Sequence, residues 1–410
     1  MKYDKLLFDR YFEDWTRLPV DKFVSLLRVK AKTILPSLDA KDVDLSKKQN
    51  IKLGIDPTAS DIHIGHVCPI IVLNMFLKAG HHVDFVIGDF TAKVGDPSGR
   101  VSDRAVITDD QITENFKTYK EQISKYIDTN KISVRRNSEW LAKTSSSELF
   151  YIFQNLNLAT AMQRDDFRAR LEKGGITVAE VCYASLMALD SVNLNTNIEL
   201  GGLDQLLNFM QCREIQVLYG QKPEVAFTVP ILEGLAGDGR KMSKSFNNYI
   251  AVNASAEDKF GKFMSLPDSL LLQYFKFFGY LYEDELKDLE KFIKDQPMEA
   301  KKQLATYFVA LEAKDFGAGA AERTRFENKF SKKELQKDDF VTLKVKKGTA
   351  LLDVLFSSGK FASKGELKRL LAGNGIKDID KNAAFTADVA LDKPVKIKAG
   401  KLNFFEIIFG

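Results

Sequence analysis

The chain reads as an α/β protein followed by a run of helices and a small basic α+β module, and three observations carry that reading. Short apolar runs, IKLGI (51–55) and VDFVI (83–87), flank a helical stretch from Val67 to Ala79. That strand–helix–strand order favours a parallel sheet, because parallel neighbours need a crossover connection. Residues 255–330 then lose strand signals and show helical periodicity with several Lys/Glu pairs. Finally, charge is uneven. The chain holds 60 Lys+Arg and 56 Asp+Glu, a net +4, yet residues 341–410 alone carry 13 basic and 7 acidic side chains. The rest of the chain is therefore slightly acidic, and a polyanionic partner is expected for the tail.

Taken in order, Thr108 opens a polar helix whose Asp109 and Asp110 suit its positive end. A strand is expected at 132–135, and 145–220 reads as mostly helical with Gly174–Gly175 and Gly201–Gly202 as punctuation. AFTVPIL (226–232) reads as a strand, followed by a Gly-rich basic loop at 234–245. SKKELQKDD (331–339) is a charged connector. Beyond it come two short helices around a turn and three β-rich pieces, AAFTADVAL, PVKIKAG and LNFFEIIF. The expected division is a sheet domain over 1–248 with a helical insertion near 140–195. A helical domain follows over 249–330, then a linker at 331–340 and the basic module over 341–410.

Several classes are disfavoured. A 45% hydrophobic and 28% charged composition is that of a globular protein. The apolar stretch Pro69–Leu77 is broken by Asn74 and too short to span a bilayer, and the N-terminus alternates charged with apolar residues rather than resembling a signal peptide. Cys68, Cys182 and Cys212 are odd in number and far apart, so neither a disulfide framework nor a thiolate metal site is expected. The expectation is a reduced, cytoplasmic protein with no membrane partner and no bound structural metal.

Two short motifs carry chemistry. His63–Ile64–Gly65–His66 sits ahead of a helix with Pro69 in its first turn. The spacing of three puts both imidazoles on one side, beside exposed helix N–H groups that suit phosphates, and Gly65 leaves room for another molecule. Alone, the same pattern also describes two surface histidines at a helix cap. Lys241–Met242–Ser243–Lys244–Ser245 lies on a loop opened by Gly237 and Gly239. Its two lysines suit a leaving pyrophosphate, an effect felt mainly in the transition state, though alone it also describes an ordinary basic loop. Useful positive charge in the body of the chain is expected on these two lysines and two histidines. Tyr183, Met187 and Asp190 share one helix face, which a plain core stripe also does, although a core stripe rarely includes Asp.

The two motifs match in full the signatures of class I aminoacyl-tRNA synthetases. The resemblance narrows to the bacterial tyrosyl-tRNA synthetases through Gly54–Ile55–Asp56–Pro57–Thr58, Gly95–Asp96–Pro97–Ser98–Gly99–Arg100 and Gly201–Gly202–Leu203–Asp204–Gln205. It implies a Rossmann-like catalytic domain and a two-step reaction, in which tyrosine and ATP give tyrosyl-adenylate and pyrophosphate before the acyl group passes to the terminal ribose of tRNA. It further implies that Mg²⁺ accompanies ATP, that the chain forms a homodimer through the helical insertion, and that the tail binds RNA.

Residue by residue, the resemblance implies catalytic roles for His63, His66, Lys241 and Lys244. Thr58, Gly65, Gly202, Asp204, Met242, Ser243 and Ser245 would join them around ATP. Gly54, Asp56, Asp96, Tyr183, Met187, Asp190 and Gln205 would line the tyrosine pocket, with Asp190 near the phenol and Tyr183 near the amino group. Phe150, Tyr151, Phe153 and Leu156 offer a dimer surface or, equally, core. Lys364, Lys368 and Arg369 would meet tRNA phosphates, or else form a solvated helix face. Three positions depart from the family pattern: Met187 replaces a usual Gln, Lys52 stands where some members place a phenol-binding Tyr, and Leu203 replaces Thr or Ser. At this level two rivals stay open, a paralogue that activates another amino acid and an RNA-binding protein without catalysis.

Overall fold

The computed structural model describes residues 2–58, 60–96, 107–156, 167, 175–332, 339–400 and 403–410. Pro97–Arg100 of the third motif, Gly174, and 333–338 of the connector lie outside the described residues. Two compact units form, Met1–Arg323 and Thr324–Gly410, dividing within the helix Phe316–Glu327.

The first unit is built on a six-stranded sheet of β1 (Thr33–Leu35), β2 (Asn50–Ile55), β3 (His82–Ile87), β4 (Ser133–Arg136), β5 (Ile198–Gly202) and β6 (Val225–Val229), in the order β1-β6-β5-β2-β3-β4. All pairs are parallel except β1–β6. Three of the four strands expected from sequence (51–55, 83–87 and 132–135) agree within a residue. The fourth begins as expected but stops at Val229, because Pro230 has no N–H for the ladder. The sequence reading missed β1 and β5. β5, IELGG, holds a charged residue and two glycines, so it lacks the apolar run that marks a buried parallel strand.

The helix Val67–Lys78 packs on the sheet and is buried from Val67 to Phe76 apart from Pro69, which is why its sequence is apolar almost all round. Strand order reverses between β2 and β5, so connections leave to opposite sides there and a crevice opens at the carboxyl ends of the strands, the usual place for a ligand in such sheets. The helix Val178–Leu194 borders this crevice. Thr177 and Glu180 form a capping box at its start, and Asn195 closes it in the left-handed conformation at φ 48°.

Helices Ala256–Met264, Leu271–Phe278, Leu286–Asp295 and Pro297–Ala313 complete the unit. Their core is aromatic: the Phe308 ring lies 4.9 Å from Phe263 and 5.0 Å from Phe278.

The second unit carries a five-stranded sheet, β10-β9-β12-β13-β7, from β7 (Val341–Val345), β9 (Ile376–Asp378), β10 (Ala383–Ala384), β12 (Val395–Ala399) and β13 (Asn403–Phe409), with β8 (Thr349–Ala350) paired to β11 (Ala390–Leu391). Helices Leu351–Ser357 and Lys364–Ala372 pack Leu351, Leu355 and Leu367 against Ile397, Phe405 and Ile407. Lys364, Lys368 and Arg369 stand exposed on the second of these helices, whose Leu367 is buried, and Lys364 pairs with Asp353 at 2.6 Å.

Candidate active site

Beyond β2 the chain turns through Asp56, whose carboxylate accepts from Thr91 Oγ1 at 2.8 Å and from the Tyr183 hydroxyl at 3.0 Å. Thr91 in turn accepts from Asn137 Nδ2 at 3.0 Å, and the same amide reaches Asp190 Oδ2 at 3.5 Å. Trp140 donates its indole N–H to Asp190 Oδ1 at 2.8 Å. A continuous polar chain thus runs Tyr183–Asp56–Thr91–Asn137–Asp190–Trp140, with residues from four separate segments. Gly88 is required beneath it: a methyl group there would lie 1.9 Å from Asp56 Oδ1.

Burial pushes the Asp56 carboxyl up to about 7 despite its hydrogen bond from Thr91, with Asp96 adding to the rise. Asp190 is likewise raised to about 7 by burial, against the pull of Lys52 and the Trp140 hydrogen bond. Asp96 accepts from Gln205 Nε2 at 2.7 Å, and the Gln205 carbonyl accepts from Asn208 at 2.8 Å. Met187 is partly buried on the same helix as Tyr183 and Asp190. Gly54 is the penultimate residue of β2, and Gly202 leads from β5 to exposed Asp204.

The other half of the site is a junction of the two signature segments. Ile64 N–H donates to the Ile250 carbonyl and Val252 N–H to the Ile62 carbonyl, each at 3.0 Å, so His63 pairs with Ala251 in a short antiparallel bridge. The Val252 carbonyl also accepts from Lys125 at 2.8 Å and Lys259 at 2.7 Å, which fixes the exit of the loop. Asn248 holds the loop from inside: its carbonyl accepts from Ser243 N–H at 2.8 Å and its amide donates to the Lys241 carbonyl at 3.2 Å. Met242 is buried, whereas Lys241, Lys244 and Ser245 are exposed. Neither lysine pairs with a carboxylate among the described residues.

The His63 and His66 rings lie 3.9 Å apart. Burial, the His66 ring and the two loop lysines push His63 down to about 2; burial takes His66 to about 4, with the lysines adding. Both are neutral at pH 7, so the positive charge here rests on Lys241 and Lys244 alone, unlike the sequence reading, which counted the histidines too. The space beside Gly65 is also taken. A methyl group there would lie 2.9 Å from His63 Nδ1, so the glycine accommodates the histidine ring, and that nitrogen is buried without a hydrogen-bond partner.

Sequence reasoning missed Thr91, Asn137, Trp140 and Asn248. Each acts through backbone geometry or a partner far away in sequence, and only the buried amides of Asn137 and Asn248 would have stood out as unusual core residues. Among the described residues, Glu199, Cys212 and Glu224 have the spacing of metal ligands, but the Lys52 ammonium lies 2.8 Å from Glu199 and supplies the cation. The three cysteines are free thiols. No helix among the described residues is long and apolar enough to cross a membrane.

Comparison with known proteins agrees with this geometry. Residues 45–326 match the family described as tRNA synthetases class I (W and Y). A tyrosine–tRNA ligase of Thermotoga maritima is 36% identical over 88% of this chain and 91% of its own length. That of Carboxydothermus hydrogenoformans is 37% identical over 90% and 92%. Among solved structures, a tyrosyl-tRNA synthetase of Archaeoglobus fulgidus in complex with L-tyrosine shares the fold at a TM-score of 0.58 and 21% identity, over 73% of this chain and 99% of that one. The truncated mitochondrial synthetase of Aspergillus nidulans does so at 0.61 and 21%, over 80% and 99%. With both signature segments bridged at one end of the crevice and a buried carboxylate chain at the other, the protein belongs to the class I tRNA synthetases of the tryptophanyl and tyrosyl kind.

Proposed function

We propose that this chain is a tyrosine–tRNA ligase, which joins L-tyrosine to ATP as tyrosyl-adenylate and then passes the tyrosyl group to the 3′-terminal ribose of tRNA(Tyr). The observation that carries the reading is the bridge between Ile62–Ile64 and Ile250–Val252, which puts two lysines without a carboxylate partner among the described residues beside two neutral imidazoles, His63 partly buried and His66 exposed. The tyrosine carboxylate attacks the α-phosphate in line and pyrophosphate leaves. A carboxylate is already a nucleophile at neutral pH, so no general base is needed and catalysis is mostly positioning and charge stabilisation. His63 and His66 donate N–H groups to ATP phosphates without adding charge. Lys241 and Lys244 close on the β,γ-phosphates as negative charge builds there, while Met242, Ser243 and Ser245 shape the loop. Thr58, Gly202 and Asp204 meet the nucleoside, and Mg²⁺ arrives with ATP as part of that substrate.

At the other end Asp190 accepts from the substrate phenol. Phenylalanine would deny that buried carboxyl one of its donors, a mode of discrimination for which tyrosyl synthetase is itself the standard example. Asp56, through Tyr183, and Asp96, through Gln205, face the substrate ammonium, beside Gly54 and Met187. The helices of 249–330 meet the anticodon, and Lys364, Lys368 and Arg369 contact tRNA phosphates. Exposed Phe150 (65%) and Tyr151 (47%) suit a homodimer surface, whereas Phe153 and Leu156 pack against the core. The setting is the cytoplasm. Amino-acid-dependent exchange of labelled pyrophosphate into ATP tests the whole reading. Exchange with tyrosine alone is expected; exchange with another amino acid, or none, overturns it.

A further inference from the structure

Behind the helix that carries Asp190 lies a buried polar cluster that the reaction above does not use. Lys52 and Glu199 face each other in register across β2 and β5, 1% and 2% exposed, with Nζ 2.8 Å from Oε1. Lys52 also donates to Ser191 Oγ at 2.7 Å and to the Met187 carbonyl at 3.3 Å, and Ser191 donates onward to Glu199 Oε2 at 3.3 Å. Glu224 completes the cluster; burial first, then Glu199, raises its carboxyl well above the usual range. Glu199 and Glu224 hold the Lys52 ammonium protonated even though burial works against it. One lysine and two glutamates are thus sealed in the sheet, with Lys52 and Glu199 in direct contact.

An ion pair buried this deeply adds little net stability over apolar side chains of similar volume, so its placement is the informative feature. Two of the Lys52 partners, Met187 and Ser191, bracket Asp190 on a single helical turn. We infer that Lys52, with Glu199 and Ser191, is a positioning set for the amino-acid end of the site, fixing the turn Met187–Ser191 and keeping a positive charge behind Asp190 so that it meets the substrate hydroxyl as an anion. The inference rests on the ligase reading above and deepens it. After burial, Lys52 is the largest influence on the Asp190 carboxyl and lowers its pKa; the Trp140 and Asn137 hydrogen bonds act in the same direction and Glu199 opposes them. Asp56, Tyr183 and Cys212 are the other ionisable groups that feel its charge.

The test is the double variant K52M/E199Q of the full chain, which removes the pair without stranding either charge. Tyrosine-dependent pyrophosphate exchange is measured from pH 6 to 9, with separate KM values for tyrosine and ATP. Exchange by the unmodified chain tests the ligase reading; the split between the two KM values in the variant tests the inference. Loss of the nearer charge should move the Asp190 limb up by about one pH unit. The KM for tyrosine then rises about fivefold at pH 7 and converges on the unmodified value by pH 9, with kcat and the KM for ATP unchanged. A tyrosine KM that stays the same, or rises equally at every pH, in a variant of unaltered Tm overturns the charge role. Should the double variant fail to fold, S191A keeps the pair and removes one tether. A roughly threefold rise in tyrosine KM alone is then expected, and no change overturns the positioning role.

Discussion

The two ends of the crevice hold their functional groups in opposite ways. At the proposed phosphate end, Lys241 and Lys244 are exposed on a loop whose backbone is held by Asn248 and the Ile62–Val252 bridge, with Met242 buried beneath it. At the proposed amino-acid end, Asp190 is buried and Asp56 partly so, and each accepts from two side chains. The difference follows from what each end must do. A group that neutralises charge appearing only in the transition state stays solvated until then, so that it does not bind the ground state equally well. A group that reads a neutral hydroxyl has to be set in place beforehand, in surroundings where an unpaired partner is penalised.

The largest test of this contrast removes a lysine. Lys244→Ala should lower kcat for adenylate formation by about 10²–10³, the range seen when one transition-state donor is lost, and leave the KM for tyrosine unchanged. A rise in tyrosine KM of similar size would erase the distinction between the ends. Next in size, Asp190→Asn should lower kcat/KM for tyrosine by about 2–3 kcal/mol, or 30- to 150-fold, since a charged acceptor in a buried hydrogen bond is lost. The same variant should narrow the preference for tyrosine over phenylalanine, measured as the ratio of their exchange rates.

On the proposed reading the tail makes a smaller contribution, to a different step. Replacing Lys364, Lys368 and Arg369 with Ala should weaken tRNA charging and flatten its salt dependence by about three in the log–log slope. Tyrosine activation should be untouched, because these side chains sit on an exposed helix face of the second unit. Equal loss in both assays would mean that the tail supports the fold instead.

The ends should also part company with pH. Burial raises Asp56 and Asp190 to about 7, so protons leave them as pH climbs through neutrality and tyrosine binding should strengthen several-fold between pH 6 and 8. His63 and His66 are depressed to about 2 and about 4, so the KM for ATP should show no histidine limb over the same interval. The stability sign is opposite to that of binding. A carboxyl whose folded pKa is raised stabilises the ligand-free protein below its unfolded value near 4 and loses that contribution as pH rises toward 7. The Tm of the free chain should therefore fall from pH 5 to 8, and added tyrosine should restore it most at the upper end.

What the sequence revealed divides along a related line. Contiguous motifs were legible because several functional groups share one turn or loop: His63 with His66, Lys241 with Lys244, Asp56 with Gly54. Asn137 and Trp140 were not, because their use depends on β4 lying beside β3 and on the Val178–Leu194 helix passing above both. β5 was hidden for the same reason. Its Glu199 makes sense in a buried strand only once Lys52 is opposite, and neither residue announces the other across 147 positions of chain. Where pairing across the sheet replaces an apolar run, periodicity cannot find the strand.

Met187 gives the smallest test. A thioether is at best a weak acceptor, so on the proposed reading the substrate ammonium lacks the side-chain amide that the family resemblance leads one to expect at this position. Gln205 does not simply replace it, since its amide donates to Asp96 and its carbonyl is already taken by Asn208. Asp96 and Tyr183 are left to face the ammonium. Met187→Gln should then lower the KM for tyrosine by about threefold, roughly one neutral hydrogen bond at the weak end of its range, with the KM for ATP unchanged. An unaltered tyrosine KM would show that Asp96, locked by Gln205, already satisfies that group. The amino-acid end would then be complete without the residue, and its contrast with the solvated phosphate end sharper still.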